Sequence, residues 1–338
     1  MKNILFISVD FFEYTSQIKN SLLNKGYKVD FFDERPSNNI FTKGLIRLKS
    51  SFINFFINQY YKKIEKQIEN TKYDILLVIK GECITRKFLL NFKIKNPDAE
   101  LIFYTWDSFT NNSNQLNILE IFDRSYTFDP DDSKKYNINF RPLFYLDNFK
   151  YLANKKNSYY KYDFLFIGSA HSDRYIICEK LIEFISVFDF KSYTYYYLQD
   201  KLVFYFKRYF DPTFKYFNVS KINFKNLSMI SILNLYNDSN VILDIHHPLQ
   251  NGLTIRTFET LGAKKKIITT NEHIKKYKFY NSNNILIIDR KIPKIDINFF
   301  NQDFQDCELD LYYAMSLDGW LDTILFNKFT NKFWGDSF

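Results

Sequence analysis

The stretch LDIHHPLQNGLTIRTFETLGAKKKIITTN, residues Leu243 to Asn271, carries a short apolar strand into a glycine loop, then a helix and a second strand. Val241 to Ile245 is short and β-branched, as a strand buried on both faces of a parallel sheet requires, and Lys266 to Thr270 repeats the pattern. Between them, Gly252 permits close backbone approach, the first-turn amides of the next helix point at whatever lies above the strand, and Arg256 supplies a fixed positive charge. Glu259 stands at i+3 from Arg256, on the same helix face. A carboxylate beside a phosphate-seeking arginine suits ribose hydroxyls, because it accepts two hydrogen bonds at once. The other reading is an Arg/Glu pair that serves only the helix. The unit predicts an α/β fold with a site for a phosphorylated ligand at a strand's carboxyl end.

Working outward, strand-like and helical runs alternate along the chain. Strands are expected at Asn3–Val9, Tyr27–Phe32, Asp74–Ile79, Leu101–Thr105 and Ser125–Phe128, with helices near Tyr14–Lys25 and from about Lys43 to Asn70. The alternation resumes with a strand at Asp163–Ile167, a helix around Arg174–Phe188, a tyrosine-rich strand near Tyr193–Leu198, a helix around Leu227–Asn237, and a strand at Asn284–Ile288 after the opening unit. Repeated βα alternation means parallel sheets with helices on both faces. RPLFYLDNFKYLANKKNSYYK, Arg141 to Lys161, has weak periodicity and reads as a linker. The expected architecture is α/β: two doubly wound Rossmann-like domains facing a central cleft, over residues 1–145 and 160–310, with a C-terminal helical segment, 311–338, placed to pack back on the first. Ligands then bind at the carboxyl ends of the strands.

Composition agrees with two domains, since 338 residues exceed the size at which one core usually stops growing. Lys+Arg of 46 against Asp+Glu of 38 gives a formal charge of +8, which favours an anionic partner such as nucleotide, anionic lipid or nucleic acid. Aromatic content of 20%, beside abundant Asn, Lys and Ile, is in keeping with biased codon usage, so aromatic patches alone are weak functional signals. Cys83, Cys178 and Cys307 have neither disulfide-framework nor zinc-ligand spacing, which points to a reducing compartment. MKNILFISVDFFEY reads as a first strand rather than a signal peptide, and no apolar run approaches the roughly 20 residues of a membrane span. The expected location is cytoplasmic, with docking on the inner face of a cell membrane left open.

Strand ends are where chemistry is sought. FIGSAHSDRY places Gly168 and Ser169 at a turn and Arg174 at a helix start, a second backbone-plus-arginine cradle; a plain structural turn is the alternative. His246 and His247 end a strand, and His247 is a candidate donor contact rather than a catalyst or metal ligand. In the first half, strand ends carry Asp10, Lys80, Gly81, Glu82, Trp106, Asp107 and Ser108. Asp107, after an apolar strand, best fits a general base for a sugar hydroxyl, unless it or Ser108 merely caps a turn. FDPDD, Phe128 to Asp132, looks like a metal-binding triplet but has the order of an ordinary helix start. No metal site is expected.

The segment RTFETLGAKKKIITTN resembles the donor-binding segment of GT-B glycosyltransferases, and YTWDSFTNN, FDPDD and RPLFY resemble bacterial enzymes of lipopolysaccharide and capsule assembly, related to spore-coat-type glycosyltransferases. That resemblance implies that Glu259 binds the nucleotide ribose and that Arg174 and Arg256 bind the diphosphate. Many retaining members carry a second glutamate eight positions before the ribose glutamate; here that position is Asn251, so the stereochemical outcome stays open. The implied reaction moves a glycosyl group from a nucleotide-sugar, as substrate and with no cofactor, to a hydroxyl of a glycan or lipid-linked glycan acceptor. Arginines and helix amides would stabilise the departing diphosphate without a metal. Lys43–Lys66 and Lys201–Lys225 interleave cations with aromatics, which suits either an anionic membrane surface or amphipathic helices packed on their own sheet. A nucleotide-sugar epimerase of the same architecture is one alternative. A non-catalytic nucleic-acid-binding protein is another, though the basic residues are spread through both halves, and nucleic acid is not the expected partner.

Overall fold

The structure, a computed structural model, describes residues 1–10, 13–37, 51–155, 159–248 and 250–338. The strands are β1 (Asn3–Ser8), β2 (Lys28–Asp33), β3 (Ile75–Ile79), β4 (Glu100–Thr105), β5 (Arg124–Thr127) and β6 (Asn139–Phe140), followed by β7 (Tyr162–Ser169), β8 (Ser192–Tyr197), β9 (Ile222–Asn223), β10 (Ser239–Asp244), β11 (Lys266–Thr269) and β12 (Ile285–Ile287). They form two six-stranded sheets in the orders β2-β1-β3-β4-β5-β6 and β12-β11-β10-β7-β8-β9. Every pairing of named strands is parallel. The apolar runs explain this choice. ILLVI of β3 is buried at all five positions, which only a strand covered on both faces can accept.

The chain divides into two compact units, Met1–Pro142 with Leu321–Asn331 and Leu143–Trp320 with Lys332–Phe338. In the first unit, the helix Ser51–Gln67 buries Ile53, Ile57, Tyr61 and Ile64, a stripe at i, i+4, i+8 and i+11 that packs into the same core as Leu76, Val78 and Phe88. That part of the basic, aromatic stretch is an amphipathic helix on its own sheet; residues 43–50, also expected to be helical, lie outside the described residues. In the second unit, β7, β10 and β11 contribute Phe164, Phe166, Val241, Leu243 and Ile268 to a core shared with Cys178, Leu181 and Ile185 of the helix Arg174–Ser186.

The stretch read as a linker carries a helix, Asp147–Ala153, whose Phe149 packs edge-on against Tyr236 at 5.2 Å within the second unit. The chain's end is divided as well. Asp322 accepts from Lys25 at 3.1 Å and the Leu325 carbonyl from Arg124 at 3.2 Å in the first unit, whereas the Trp334 carbonyl accepts from the Lys278 amide at 2.9 Å in the second. Among the described residues no helix is long and apolar enough to cross a membrane.

Each sheet grows outward in both directions from one point. In the second unit this is the gap between β7 and β10, from which later strands are added on opposite sides. At such a switch point the loops leaving the two strands diverge and open a crevice at their carboxyl ends.

Candidate functional site

The residues flanking the β7–β10 switch point converge. Arg174, at the start of the helix Arg174–Ser186, donates through Nε to the Ile245 carbonyl at 2.8 Å, so the loop after β7 is tied to the loop after β10. Gly168 makes room for Phe166, whose ring would stand 2.8 Å from a Cβ there, while an Arg174 nitrogen lies at ordinary contact distance, 3.5 Å. Ser169 ends the strand, and its carbonyl lies 3.5 Å from the same guanidinium. Arg290, in the loop after β12, holds Asp173 through two nitrogens at 2.7 and 2.6 Å and donates to the His246 carbonyl at 3.0 Å. After β10, Gly252 is buried in the loop that leads into the helix Ile255–Gly262.

Two helices begin at this edge, and in both the residue at the cap position spends its side chain elsewhere. Asp173 precedes Arg174 and gives its carboxylate to Arg290. Thr254 precedes Ile255 and donates its hydroxyl to Asp244 at 2.7 Å, where Thr257 also donates at 2.9 Å. Neither cap side chain bonds the first turn it precedes. Helix amides left without a capping side chain are suited to an anionic ligand.

The electrostatics agree. Burial, reinforced by Arg256 and Arg290, lowers Arg174 to about 10 against the pull of Asp244. Burial and Arg174 take His171 down to about 3, and burial and Arg290 take His246 down to about 4; His246 shares a 2.8 Å hydrogen bond with Thr270. His247 is lowered by the same burial and arginines, and its ring centroid lies 5.5 Å from that of His171. The histidines are therefore neutral near pH 7, and the positive charge belongs to the guanidiniums. Arg256 donates through one nitrogen to Glu259 at 3.1 Å and to the Tyr236 hydroxyl at 3.1 Å, and that hydroxyl donates to Glu259 at 3.3 Å. The ion pair offered as one sequence reading is thus formed, with the Glu259 side chain only 6% exposed.

The first unit has its own cluster at the carboxyl ends of β2, β3 and β4. Glu34, wholly buried, accepts from the amides of Gly81 and Cys83; burial lifts it to about 7. Arg35 donates to Glu82 from both Nε and Nη2. Lys80 Nζ sits 3.7 Å from Glu82 and 3.1 Å from Asp107, whose side chain is 36% exposed. The turn there is closed by Thr105, whose hydroxyl accepts from the Asp107 amide at 3.2 Å and donates to the Asp107 carbonyl at 2.7 Å, rather than by the Asp107 carboxylate. FDPDD is the helix start expected of it, with Asp129 accepting from the amides of Asp131 and Asp132 at 2.9 and 3.4 Å. Among the described residues no group of three or more His, Cys, Asp or Glu is placed to hold a metal ion.

No family model and no curated protein matches the chain. Solved structures do. The chain is similar to an α,α-trehalose-phosphate synthase (UDP-forming) from Burkholderia xenovorans, in complex with glucose-6-phosphate, at TM-score 0.60 and 10% identity over 95% of this chain and 98% of that one. It is similar to a glycosyltransferase from Rickettsia africae at TM-score 0.54, 12% identity, 96% and 99%. A third is an alpha-glucosyltransferase in complex with UDP and a 13-mer DNA containing an A:G mismatch, at TM-score 0.53, 12% identity, 84% and 81%. The fold is GT-B. At these identities the likeness shows the fold alone.

Of the expected donor contacts, Gly168, Ser169, Arg174, His247, Gly252, Arg256 and Glu259 all lie at the carboxyl edge of the second sheet or in the helices that start there. Asp107 lies at the corresponding edge of the first sheet. Sequence reasoning missed Arg290, Asp173, Asp244 and Tyr236. Arg290 was findable: it follows a strand by three residues, and in a parallel sheet every strand end faces the same edge.

Proposed function

We propose that the protein is a glycosyltransferase that moves a sugar from a nucleotide-sugar to a hydroxyl of a surface-glycan acceptor, of lipopolysaccharide, capsule or glycolipid type, in the cytoplasm. What carries this reading is the pairing at one switch point of three guanidiniums, Arg174, Arg256 and Arg290, with two helix starts whose cap side chains are engaged elsewhere. Such a place favours a diphosphate. The second unit is then the donor domain and the first the acceptor domain.

In the reaction, the bond from the anomeric carbon to the diphosphate oxygen breaks, the electron pair leaves with the diphosphate, and a new bond forms to the acceptor oxygen. Arg174, Arg256 and the first-turn amides stabilise the leaving charge, a role for which no metal is needed. Gly168, Ser169 and Gly252 let backbone approach the phosphates, His247 donates to the donor, and Glu259, oriented by Tyr236, takes the ribose hydroxyls. Where the reaction inverts, Asp107 takes the acceptor proton.

A thermal-shift screen of nucleoside diphosphates, nucleotide-sugars and short oligonucleotides is the test, because a ligand of the native state raises its apparent stability. Uridine diphosphate comes first, since two neighbours of the same fold are described with UDP in their names. Stabilisation by nucleoside diphosphates and not by oligonucleotides is expected; the reverse defeats the proposal. Isomerised sugar formed without any acceptor would assign an epimerase instead.

A further inference from the structure

The helix Lys201–Phe210, KLVFYFKRYF, places Leu202, Tyr205, Phe206, Tyr209 and Phe210 at i, i+3, i+4, i+7 and i+8, one continuous apolar stripe. All five are 60% to 84% exposed, whereas Phe204 on the other side is 1% exposed. The helix Ser51–Gln67, with a similar stripe, turns it into the core. Here the stripe is turned outward and held there. Phe204 packs on Phe214 with centroids 6.2 Å apart, Asp200 caps the first turn by accepting from the Leu202 amide at 2.7 Å, and the Asp211 amide closes the last turn on the Lys207 carbonyl at 2.7 Å. Tyr216 and Val219 continue the exposed apolar surface just beyond.

The charge around this stripe has one sign. From residue 201 to 225 the chain carries Lys201, Lys207, Arg208, Lys215, Lys221 and Lys225 against one acid, Asp211, whose carboxylate accepts from the amide and hydroxyl of Thr213. Lys221 is ion-paired with Glu179, Lys207 lies 4.8 Å from the Phe214 ring centroid and the Arg208 guanidinium lies 5.8 Å from that of Phe204 and donates to the Phe217 carbonyl at 3.4 Å, while Lys201 and Lys215 are exposed. An apolar stripe flanked by cations matches the acyl boundary and phosphate layer of a bilayer. A second copy would bring like charges together, and a duplex nucleic acid, held by its phosphates, would leave the apolar stripe unused.

We propose that this face docks the protein on an anionic lipid bilayer, with the helix lying in the interface, Leu202, Phe206, Tyr209 and Phe210 at the acyl boundary, and Lys201 and Lys215 on headgroup phosphates. The exposed stripe contains none of the residues assigned to the donor, and the proposal does not rest on glycosyl transfer. The test is co-sedimentation of the full chain with vesicles of phosphatidylcholine alone or mixed with phosphatidylglycerol, at low and high salt. Binding is expected to the mixed vesicles, weakened by salt and roughly tenfold or more tighter than to phosphatidylcholine alone. The triple change Phe206→Ser/Tyr209→Ser/Phe210→Ser, and separately Lys201→Glu/Lys215→Glu, should each weaken binding by roughly tenfold or more while leaving melting temperature and nucleotide binding unchanged. The proposal is overturned if the native chain ignores mixed vesicles at low salt, or if both variants bind as it does. A dimer that the apolar substitutions abolish, without vesicle binding, would also overturn it.

Discussion

Arg290 holds Asp173 through a two-nitrogen fork, at 2.7 and 2.6 Å, across 117 residues of chain. The contact joins the loop after the last strand of the second sheet to the start of the helix that follows its first strand. Burial opposes the Asp173 charge, but Arg290 outweighs it and holds the carboxyl below its ordinary range. A charge-assisted hydrogen bond from this guanidinium to a diphosphate oxygen would be worth about 1.5–3 kcal/mol. Arg290→Ala should therefore weaken nucleoside diphosphate binding roughly ten- to hundredfold by calorimetry. Arg290→Lys should recover only part of this, because an ammonium cannot reproduce the fork. Unchanged affinity in both variants would remove Arg290 from the donor site.

Glu259 has two duties to separate. As the partner of Arg256 in a buried pair it is structural; as a ribose ligand it reads the nucleoside. Breaking a buried pair by removing one member typically costs about 3–5 kcal/mol, so Glu259→Ala should lower the melting temperature whatever its other role. The ribose role predicts more: affinity for nucleoside diphosphate should fall at least tenfold relative to affinity for inorganic diphosphate, roughly the worth of a charge-assisted hydrogen bond. Equal losses for both ligands would leave Glu259 purely structural.

Much of this was legible before the structure because buried parallel strands write themselves as short apolar runs. The long strands, from β1 at Asn3–Ser8 to β11 at Lys266–Thr269, fall within two residues of expectation. β6 and β9, two residues each at sheet edges, offer no run long enough to have a period. The helix Lys201–Phe210 shows the limit of pattern reading. Its stripe is plain in the sequence, but periodicity cannot say which way a stripe faces; that is set by Phe204 and Phe214, which look no different from their neighbours. The position of Arg290 at a strand end was readable, but the partners of Arg290 and Tyr236 were not, for another reason. Their partners lie 117 and 20 residues away, brought close only by the order of strands in the sheet.

Gly262 ends the helix Ile255–Gly262, where helix propensity alone would have alanine gain about 1 kcal/mol. Packing reverses the sign. A Cβ at Gly262 would lie 2.4 Å from Tyr145 Cγ, and that tyrosine is pinned by hydrogen bonds from its own amide to Met315 and from the Leu317 amide to its carbonyl, both at 2.9 Å. Overpacking of this kind costs about 1–3 kcal/mol. Gly262→Ala should thus destabilise the second unit in denaturant titration; a gain would mean that Tyr145 gives way.

Acidification should move the two units in opposite directions. In the second, His171 and His246 are held near 3 and 4 when folded, against about 6.5 unfolded, so between pH 6.5 and 4 the unfolded chain binds protons that the native state refuses. Stability there falls with falling pH, by up to about 1.4 kcal/mol per pH unit for each histidine. Glu34 in the first unit is lifted by burial to about 7, so on going from pH 7 to 4.5 the native state binds the proton first and gains stability by the same linkage. Hydrogen exchange, corrected for intrinsic rates, should show β1 and β3 better protected at pH 5 than at pH 7, and β7 and β10 less. Glu34→Gln should remove the Glu34 share of this gain, leaving that of Asp132, which burial lifts to about 6, at a cost of about 1–3 kcal/mol, since one amide oxygen cannot accept from Gly81 and Cys83 as two carboxylate oxygens do. Parallel trends in the two units would refute the assignment.

An acceptor hydroxyl must lose its proton as the new glycosidic bond forms. Lys80 is held in the left-handed region, φ 85°, its amide donating to the Tyr104 carbonyl at 2.8 Å and its carbonyl accepting from Gln115, so its ammonium is delivered to Asp107 by a fixed turn. A carboxylate fixed in this way and still 36% exposed can reach an incoming hydroxyl without first rearranging. Asparagine keeps its shape and removes its basicity. For an inverting reaction, Asp107→Asn should therefore lower kcat by about 10²–10⁴ while the nucleotide dissociation constant stays within about twofold. Equal losses in kcat and nucleotide affinity would make Asp107 a structural partner of Lys80, and normal turnover would take it out of the mechanism altogether.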